Sequence, residues 1–199
     1  MTGVRELIPA TPEQINAIAD ALGKDGLAVH LMRGLGLRAA EVLGLRSTDF
    51  MINGMVHVSR QRARTGTMEP LKHRKSLADG RDIPVAPYLA TMVRDHVAKH
   101  GEGDLFTTTY HSLRDRFRRA ALKAELPAGY SMHQLRHAFA SALLPQGIAL
   151  TDVTRWMGHA DTRETSRVYA HLMPGQADRA RDLLQAAYQD DAEDSTVAA

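Results

Sequence analysis

A short segment rich in histidine and arginine, His133-Gln134-Leu135-Arg136-His137, opens an apolar run with helical spacing. His133 and Arg136 are three residues apart, so their side chains share one face of a helix. Together they could act on one phosphate group, the imidazole as a proton donor and the guanidinium as a planar cationic clamp. His133 and His137 also have the spacing of two helical zinc ligands. The metalloprotease pattern requires Glu where this chain has Gln134, so a metal site is disfavoured.

Further candidate residues lie on both sides of this segment. Arg38 stands at a predicted helix start, His159 follows a glycine, and Tyr169 comes ten residues after His159. Arginine and histidine side chains are suited to stabilise the charge that develops on a phosphodiester during transfer. A tyrosine becomes a nucleophile when nearby cations favour its phenolate or a base takes its proton. Taken alone, the pair of His133 and Arg136 could equally serve only to cap or stabilise a helix start.

The spacing of apolar residues predicts that these side chains are positioned mainly by helices. Thr11-Pro12 is typical of a helix start, because threonine caps the end and proline fits the first helical position. Gly23 or Gly26 would end this first helix. A second helix is predicted over 27–35, and the helical pattern resumes after Arg38. The other predicted helices cover 87–99, 111–125, 132–144, 151–157, 162–171 and 176–188.

A small sheet is predicted in the first half of the chain. Asn53-Gly54 between Met51-Ile52 and 55–58 is a strong hairpin signal, because a type I′ turn needs positive φ at both central residues. Residues 81–85 could form a third strand, and Pro84 would place it at the edge of the sheet or stand at its end. The stretch between residue 58 and this third strand would then be a long, mobile basic loop. The expected fold class is therefore α+β and predominantly helical, with a small three-stranded antiparallel sheet.

The formal net charge of +2 conceals a basic body and an acidic end. Residues 189–199 contain four acidic residues and no lysine or arginine, and we predict a disordered tail there. Cations are concentrated in 57–82 and 111–123, which suits a polyanion partner, although charge alone is equally compatible with a solvated cationic face. The candidate residues for contacting a polyanion are Arg60, Arg62, Arg64, Lys72, Arg74, Arg114 and Arg118.

Composition excludes several classes of protein. The chain has no cysteine, which excludes disulfides, thiolate metal sites, iron–sulfur clusters and cysteine nucleophiles. It contains no apolar run of the about 18 to 20 residues that cross a bilayer, and charged residues near the start argue against a signal peptide. We therefore expect a cytoplasmic protein without a membrane span.

Four motifs occur in an order that resembles the catalytic domain of the tyrosine recombinases, the phage integrase family. They are Gly36-Leu37-Arg38-Ala39-Ala40-Glu41-Val42-Leu43-Gly44-Leu45, the segment 133–137, Gly158-His159, and Val168-Tyr169-Ala170-His171-Leu172. The resemblance covers most of residues 11–185. Each motif alone is weak evidence, whereas four in this order and spacing are specific. The family usually carries Asp where this chain has Gln134.

The resemblance implies a mechanism and a set of catalytic residues. Tyr169 would attack one DNA strand, form a 3′-phosphotyrosyl link and release a 5′-hydroxyl. The reaction would need no metal, cofactor or ATP, so we expect the protein to be active in EDTA. A lysine before the third strand completes the family's site; Lys75 fits best and Lys72 is the rival. The alternative is a DNA-binding module of the same fold that does not cleave. The implied catalytic set is Arg38, Lys75, His133, Arg136, His159 and Tyr169.

The resemblance also implies an organisation and partners. Residues 1–188 would form the catalytic domain, residues 189–199 the acidic tail, and the family's N-terminal DNA-clamping domain would be absent. The partner would be double-stranded DNA. The chain would associate weakly alone and as a tetramer on synapsed DNA, and an accessory factor could set the direction of the reaction. We expect it at the nucleoid of a bacterium, with a phage or mobile-element origin.

Overall fold

The computed structural model describes residues 9–71, 79–159 and 181. Apart from residue 181, the predicted helices over 162–171 and 176–188 and the predicted acidic tail lie outside the described residues. Within those ranges the chain is mostly helical with short antiparallel strands, so the predicted fold class is confirmed. The helices are α1 Pro12–Leu22, α2 Leu27–Leu35, α3 Ala39–Val42, α4 Pro87–His100, α5 Tyr110–Lys123, α6 Met132–Leu143 and α7 Leu150–Met157; the strands are β1 Met55–Val58, β2 Arg60–Arg62, β3 Met68–Pro70 and β4 Arg81–Pro84.

The predicted start and end of α1 are confirmed. The side chain of Thr11 accepts a hydrogen bond from the backbone N–H of Gln14, and the Gln14 side chain accepts one from the backbone N–H of Thr11. This reciprocal capping satisfies two N–H groups that the helix itself cannot pair. Pro12 occupies the first turn, and Gly23 ends the helix with φ of 59°.

The core is built around α2, which packs against α1, α4 and α6. Val29, Leu31, Met32 and Leu35 of this helix are fully buried. A second cluster, which includes Phe139 of α6, joins that helix to α7. Because α2 precedes Arg38 and α6 carries His133 and Arg136, this packing brings the two arginine motifs together. No helix in the described ranges has the length and apolar character needed to cross a membrane.

The sheet differs from the predicted three-stranded one. Among the described residues β1 pairs with β4, and β2 pairs with β3, as two separate antiparallel ladders. A turn is present at Asn53-Gly54, but the predicted type I′ turn is wrong, because Gly54 has positive φ and Asn53 does not. Before the turn Phe50 makes only an isolated antiparallel bridge to Val56, since a 3₁₀ turn at Ser47–Asp49 leaves too few residues for a strand. The β2–β3 hairpin occupies part of the predicted basic loop. The sequence analysis missed it because neither of its three-residue strands has alternating apolar residues.

Two half-buried histidines make the stability of this fold sensitive to pH. Burial lowers the pKa of His30 on α2, and the charge of Arg33 lowers it further. Burial also lowers the pKa of His96 on α4, with a smaller contribution from His100; His96 Nε2 donates to the Leu105 carbonyl oxygen over 3.1 Å. Both imidazoles are therefore held preferentially in their neutral form.

We expect the melting temperature to fall as the pH decreases from about 7.5 to about 5.5. Because the folded pKa values lie below the ordinary 6.5, the unfolded chain binds more protons between the two values. Their contribution to stability is present above pH 6.5 and is lost as the pH falls through the folded values. Thermal unfolding followed by circular dichroism measures this, with the double variant His30→Gln/His96→Gln as the control. An equally steep decline in that variant would contradict the assignment.

Candidate active site

Arg38 is positioned by a tight turn between α2 and α3. Gly36 ends α2 in the left-handed conformation with φ of 64°. A Cβ atom at this position would lie 2.5 Å from Cδ1 of Phe139, so only glycine fits both the turn and the packing against α6. Arg38 then caps α3, and its side chain is 42% exposed. The turn therefore exposes Arg38 at the surface, next to the contact between Gly36 and Phe139 of α6.

The carboxylate of Glu41 is the centre of the site. Its side chain is only 4% exposed, and it accepts hydrogen bonds from Arg38 Nη1 at 3.0 Å and Arg81 Nη2 at 2.8 Å. Arg136 Nη1 lies 4.0 Å from the same carboxylate. Burial, the largest influence, raises the pKa of Glu41, but the charges and hydrogen bonds of Arg81 and Arg38 together bring it below its ordinary value. Three guanidinium groups thus surround one ionised carboxylate, and positive charge is in excess.

The second motif lies at the start of α6. Arg136 is 1% exposed, and its Nη1 donates to the carbonyl oxygen of Gly36 over 2.7 Å. His133, one turn earlier, is exposed, and its ring meets that of His137 edge to face with centroids 4.4 Å apart. Gln134 accepts a hydrogen bond from the backbone N–H of Ser131 at 2.6 Å, so the residue at the family's usual Asp position caps this helix.

His159 follows the glycine that ends α7. Gly158 has φ of 67°, and its carbonyl oxygen accepts hydrogen bonds from Arg38 Nη1 and Nη2 at 3.2 and 3.3 Å. Arg81 donates from Nε to the carbonyl oxygen of Trp156 at 2.7 Å. The half-buried His159 is therefore attached through its neighbouring backbone to the same cluster of arginines.

Four of the six predicted catalytic residues lie within the described ranges. The structure brings together Arg38, Arg136 and the turn that carries His159, and it places His133 one helical turn from Arg136. Lys75 and Tyr169 lie outside the described residues, as do the predicted DNA-contacting residues Lys72 and Arg74. Across residues 9–71 and 79–159, no three His, Asp or Glu side chains are grouped so that they could hold a metal ion.

Two predicted DNA-contacting arginines instead point into the protein. The Arg60 side chain is 14% exposed, and its Nη2 donates to both carboxylate oxygens of Asp49 at 2.8 and 2.7 Å. The Arg62 side chain is 15% exposed and donates to Asp104 at 3.2 Å and to the Phe106 carbonyl oxygen at 2.9 Å. The alternation of β2 turns both inward to satisfy carboxylate and carbonyl groups, and we leave them out of the DNA surface proposed below.

The remaining predicted DNA-contacting residues in the described ranges are exposed. Arg114 and Arg118 lie on α5 and line a cleft of about 530 Å³ that also includes His133 and Tyr110. The guanidinium carbon of Arg64 lies 5.9 Å from the centre of the Tyr110 ring, within reach of a cation–π contact. Exposed arginines therefore extend from the β2–β3 hairpin along α5 towards His133, and one of them, Arg114, also pairs with Asp115 of the same cleft at 2.7 Å.

The sequence analysis missed Glu41 and Arg81 as members of the site. One local pattern could have identified Glu41. It stands three residues after Arg38, the position from which a carboxylate accepts a hydrogen bond from the backbone N–H of the residue that caps a helix. Arg81 was assigned to the basic stretch and to the predicted third strand, but it was given no role in the site. Its buried position in β4 follows from strand alternation, since Arg81 and Ile83 face inward while Asp82 and Pro84 are exposed.

The chain is similar in sequence to known proteins of one family. The profile of the phage integrase family matches residues 9–175. The chain is 30% identical over 156 residues to tyrosine recombinase XerD of Ralstonia nicotianae, across 75% of this chain and 48% of the relative. It is 26% identical over 231 residues to a XerC-like tyrosine recombinase of Caldanaerobacter subterraneus, across 92% of this chain and 58% of the relative. The chain spans about half the length of the curated relatives it matches.

Solved structures share the same fold. The catalytic domain of bacteriophage HP1 integrase superposes with a TM-score of 0.62 at 25% identity, across 89% of this chain and 95% of that one. The Tn1549 transposon integrase, solved with transposon right-end DNA, gives a TM-score of 0.70 at 24% identity, across 91% of this chain and 66% of that one. The predicted integrase-type catalytic fold is confirmed. Motifs, sequence profile and fold agree, and the chain belongs to the phage integrase family of tyrosine recombinases.

Proposed function

We propose that this chain is the catalytic domain of a site-specific DNA recombinase that cleaves and rejoins DNA through a 3′-phosphotyrosyl intermediate on Tyr169. The observation that carries the proposal is that two distant segments, α6 and the turn before His159, both meet the segment that contains Arg38 and Glu41. Arg38 lies beside the Glu41 carboxylate, Arg136 approaches it from α6, and Arg38 also binds the turn before His159. A site of this kind offers guanidinium and imidazole groups to one phosphate.

The charges of this cluster suit phosphoryl transfer. The ionised Glu41 neutralises only part of the charge of the three surrounding arginines, so the site keeps a net positive charge for the non-bridging oxygens. Arg136 is buried, and its charge is therefore screened by solvent less than that of an exposed residue. We assign Arg38, Arg136 and His159 to the phosphate oxygens, and His133 to proton transfer at Tyr169.

The proposed reaction conserves the energy of the phosphodiester. Tyr169 oxygen forms a bond to phosphorus while the bond to the 5′ oxygen breaks, and Lys75 is the proposed donor of a proton to that leaving oxygen. The released 5′-hydroxyl can later attack the phosphotyrosyl link in reverse, so rejoining consumes no ATP. Because cationic side chains stabilise the charge, we expect the reaction to proceed in EDTA.

The exposed cations described above form the proposed DNA surface. Arg64, Arg114 and Arg118 are all exposed, and the cleft joins the last two to His133. Each is positioned to neutralise backbone phosphates, which sets register on the duplex without reading sequence. Support also comes from the Tn1549 integrase, whose solved structure contains DNA.

Replacing Arg64, Arg114 and Arg118 together by glutamine is expected to reduce the salt dependence of DNA binding. The slope of log K against log salt is negative, and each lost phosphate contact makes it about 0.9 less steep, so the slope of the triple variant should be roughly 2 to 3 units shallower. Fluorescence anisotropy with a labelled duplex across a salt series measures this slope. The exposed Arg94→Gln on α4 is the control. A slope unchanged in the triple variant would place the DNA elsewhere.

Trapping the covalent intermediate tests the proposed function. End-labelled duplexes with a randomised core and a gap, which lets the cleaved 5′-hydroxyl fragment diffuse away, are incubated with protein in EDTA. We expect a labelled protein band on a denaturing gel for the wild type and for Tyr88→Phe, an exposed control tyrosine, but not for Tyr169→Phe. If the wild type gives no band although it binds DNA, the proposal that the chain cleaves DNA is wrong. The alternative, a DNA-binding module that does not cleave, would then hold.

The assembly and location are part of the same proposal. We propose that the chain associates weakly alone and acts as a tetramer on two synapsed DNA sites, with an accessory factor setting direction. Bacterial and phage relatives support a place of action at the nucleoid in the cytoplasm. We propose that residues 1–188 form the catalytic domain and that residues 189–199 form an acidic tail.

A further inference from the structure

Arg81, the first residue of β4, connects the two halves of the site. Its side chain is only 6% exposed, so it contributes through contacts within the protein. We propose that Arg81 is a positioning residue for strand cleavage: it holds the turn that carries His159 against the carboxylate that orders Arg38 and Arg136. This inference rests on the function proposed above.

The first set of contacts is with the end of α7. Arg81 Nε donates to the Trp156 carbonyl oxygen at 2.7 Å, and Nη2 lies 3.4 Å from that of Met157. The last carbonyl groups of a helix have no partner within the helix, and a cation placed there satisfies them and complements the helix dipole. Arg81 therefore fixes the end of α7, two to three residues before His159.

The contact with Gly158 is equally close. A Cβ atom at position 158 would lie 2.8 Å from the guanidinium carbon of Arg81, and the backbone there has φ of 67°. Glycine is therefore required both by the backbone conformation and by the guanidinium packed against it. The turn packs closely against the guanidinium group of Arg81, so we expect a shift of that side chain to displace His159.

The second set of contacts is with Glu41. Arg81 Nη2 donates to Glu41 Oε2 at 2.8 Å, and Arg38 donates to Oε1 of the same carboxylate at 3.0 Å. Arg38 also donates to the Gly158 carbonyl oxygen. The turn before His159 is thus held by two guanidinium groups that share one carboxylate. One planar group with donors on several nitrogens is needed for these contacts, which lysine cannot reproduce.

Arg81→Lys is expected to slow single-turnover cleavage about 10²-fold while DNA affinity is retained, because small displacements of catalytic groups are costly. Cleavage is measured on the gapped duplex at a temperature where thermal unfolding shows both proteins folded. Arg116→Lys is the matched control, since Arg116 also pairs with a buried carboxylate, Asp25, and a backbone carbonyl, but contacts none of the site residues in the described ranges. An unchanged cleavage rate in Arg81→Lys would overturn the proposal.

A double-mutant cycle separates positioning from general destabilisation. If Arg81 acts through His159, the variant Arg81→Lys/His159→Ala should cleave about as slowly as His159→Ala alone. Losses that multiply in the double variant would show that Arg81 acts independently of His159. That result would contradict the inference even if each single variant were slow.

Histidine ring resonances test the inference without any cleavage. In Arg81→Lys the Cε1–H resonance of His159 should move, while that of His30, which lines a different cleft with His96 and Lys99, should not. If wild type forms no covalent complex but the His159 resonance moves, the proposed function fails and the positioning contact stands. If the His159 resonance is unchanged, the positioning role is wrong whatever the activity.

Discussion

Arg136→Lys is expected to reduce the rate of first-strand cleavage about 10²- to 10³-fold, the cost of removing one preorganised donor from a developing oxyanion. Lysine keeps the positive charge but loses the planar group whose Nη1 binds the Gly36 carbonyl oxygen at 2.7 Å. Since Gly36 forms the turn before Arg38, the substitution disturbs two of the proposed phosphate ligands at once. Single-turnover cleavage of the gapped duplex measures the effect.

DNA affinity separates this effect from a loss of binding. The exposed cations on α5 and the hairpin are untouched in Arg136→Lys, so its dissociation constant for duplex DNA should remain close to that of wild type. Arg155→Lys is the matched control, because Arg155 lies on the exposed side of α7 and pairs with Asp152 at 2.9 Å. Cleavage by Arg136→Lys at the wild-type rate would remove Arg136 from the proposed set.

Glu41→Gln is expected to lower the free energy of unfolding by about 3 to 5 kcal/mol, because it leaves buried guanidinium groups without their counterion. Arg81 and Arg136 are 6% and 1% exposed, so water replaces little of the lost interaction. The amide keeps the shape of the side chain, and the change therefore reports mainly on charge. Urea denaturation at neutral pH measures it, with the exposed Glu69→Gln as the control.

The pH dependence gives this prediction a second signature. The folded pKa of Glu41 is below its ordinary 4.5, so its stabilising contribution is present above that value and is lost as the pH falls through the folded pKa. The difference in stability between wild type and Glu41→Gln should therefore shrink in acid. A loss of stability no greater than that of Glu69→Gln, or one independent of pH, would contradict the central role of the carboxylate.

The helices and the motif order could be predicted because their signals are local. Thr11 and Gly23 bound α1 as capping chemistry requires, and α2 covers the predicted range of 27–35. The convergence of Arg38 and Arg136 followed from the family resemblance, and the structure supplies its physical basis in the packing of α2 against α6. These predictions needed only short-range patterns and their order along the chain.

The internal arginines could not be predicted from local patterns. In the sequence Arg60, Arg62 and Arg81 look like neighbouring cations of a basic stretch. Whether each faces DNA or a buried carboxylate depends on partners at Asp49, Asp104 and Glu41, which are distant in sequence. Strand register decides this, and a one-residue shift would reverse it. The density of cations along the sequence thus predicted a polyanion partner. It could not predict which of the cations are exposed and able to contact that partner.

Identification of the residue that carries the DNA tests the central claim most directly. The covalent complex formed in EDTA would be digested with nuclease and trypsin, and the nucleotide adduct located by mass spectrometry. The account predicts a 3′-phosphonucleotide on the peptide of residues 168–179, whose only tyrosine is Tyr169. An adduct on another peptide, such as residues 100–114 with Tyr110 beside the cleft, would contradict it.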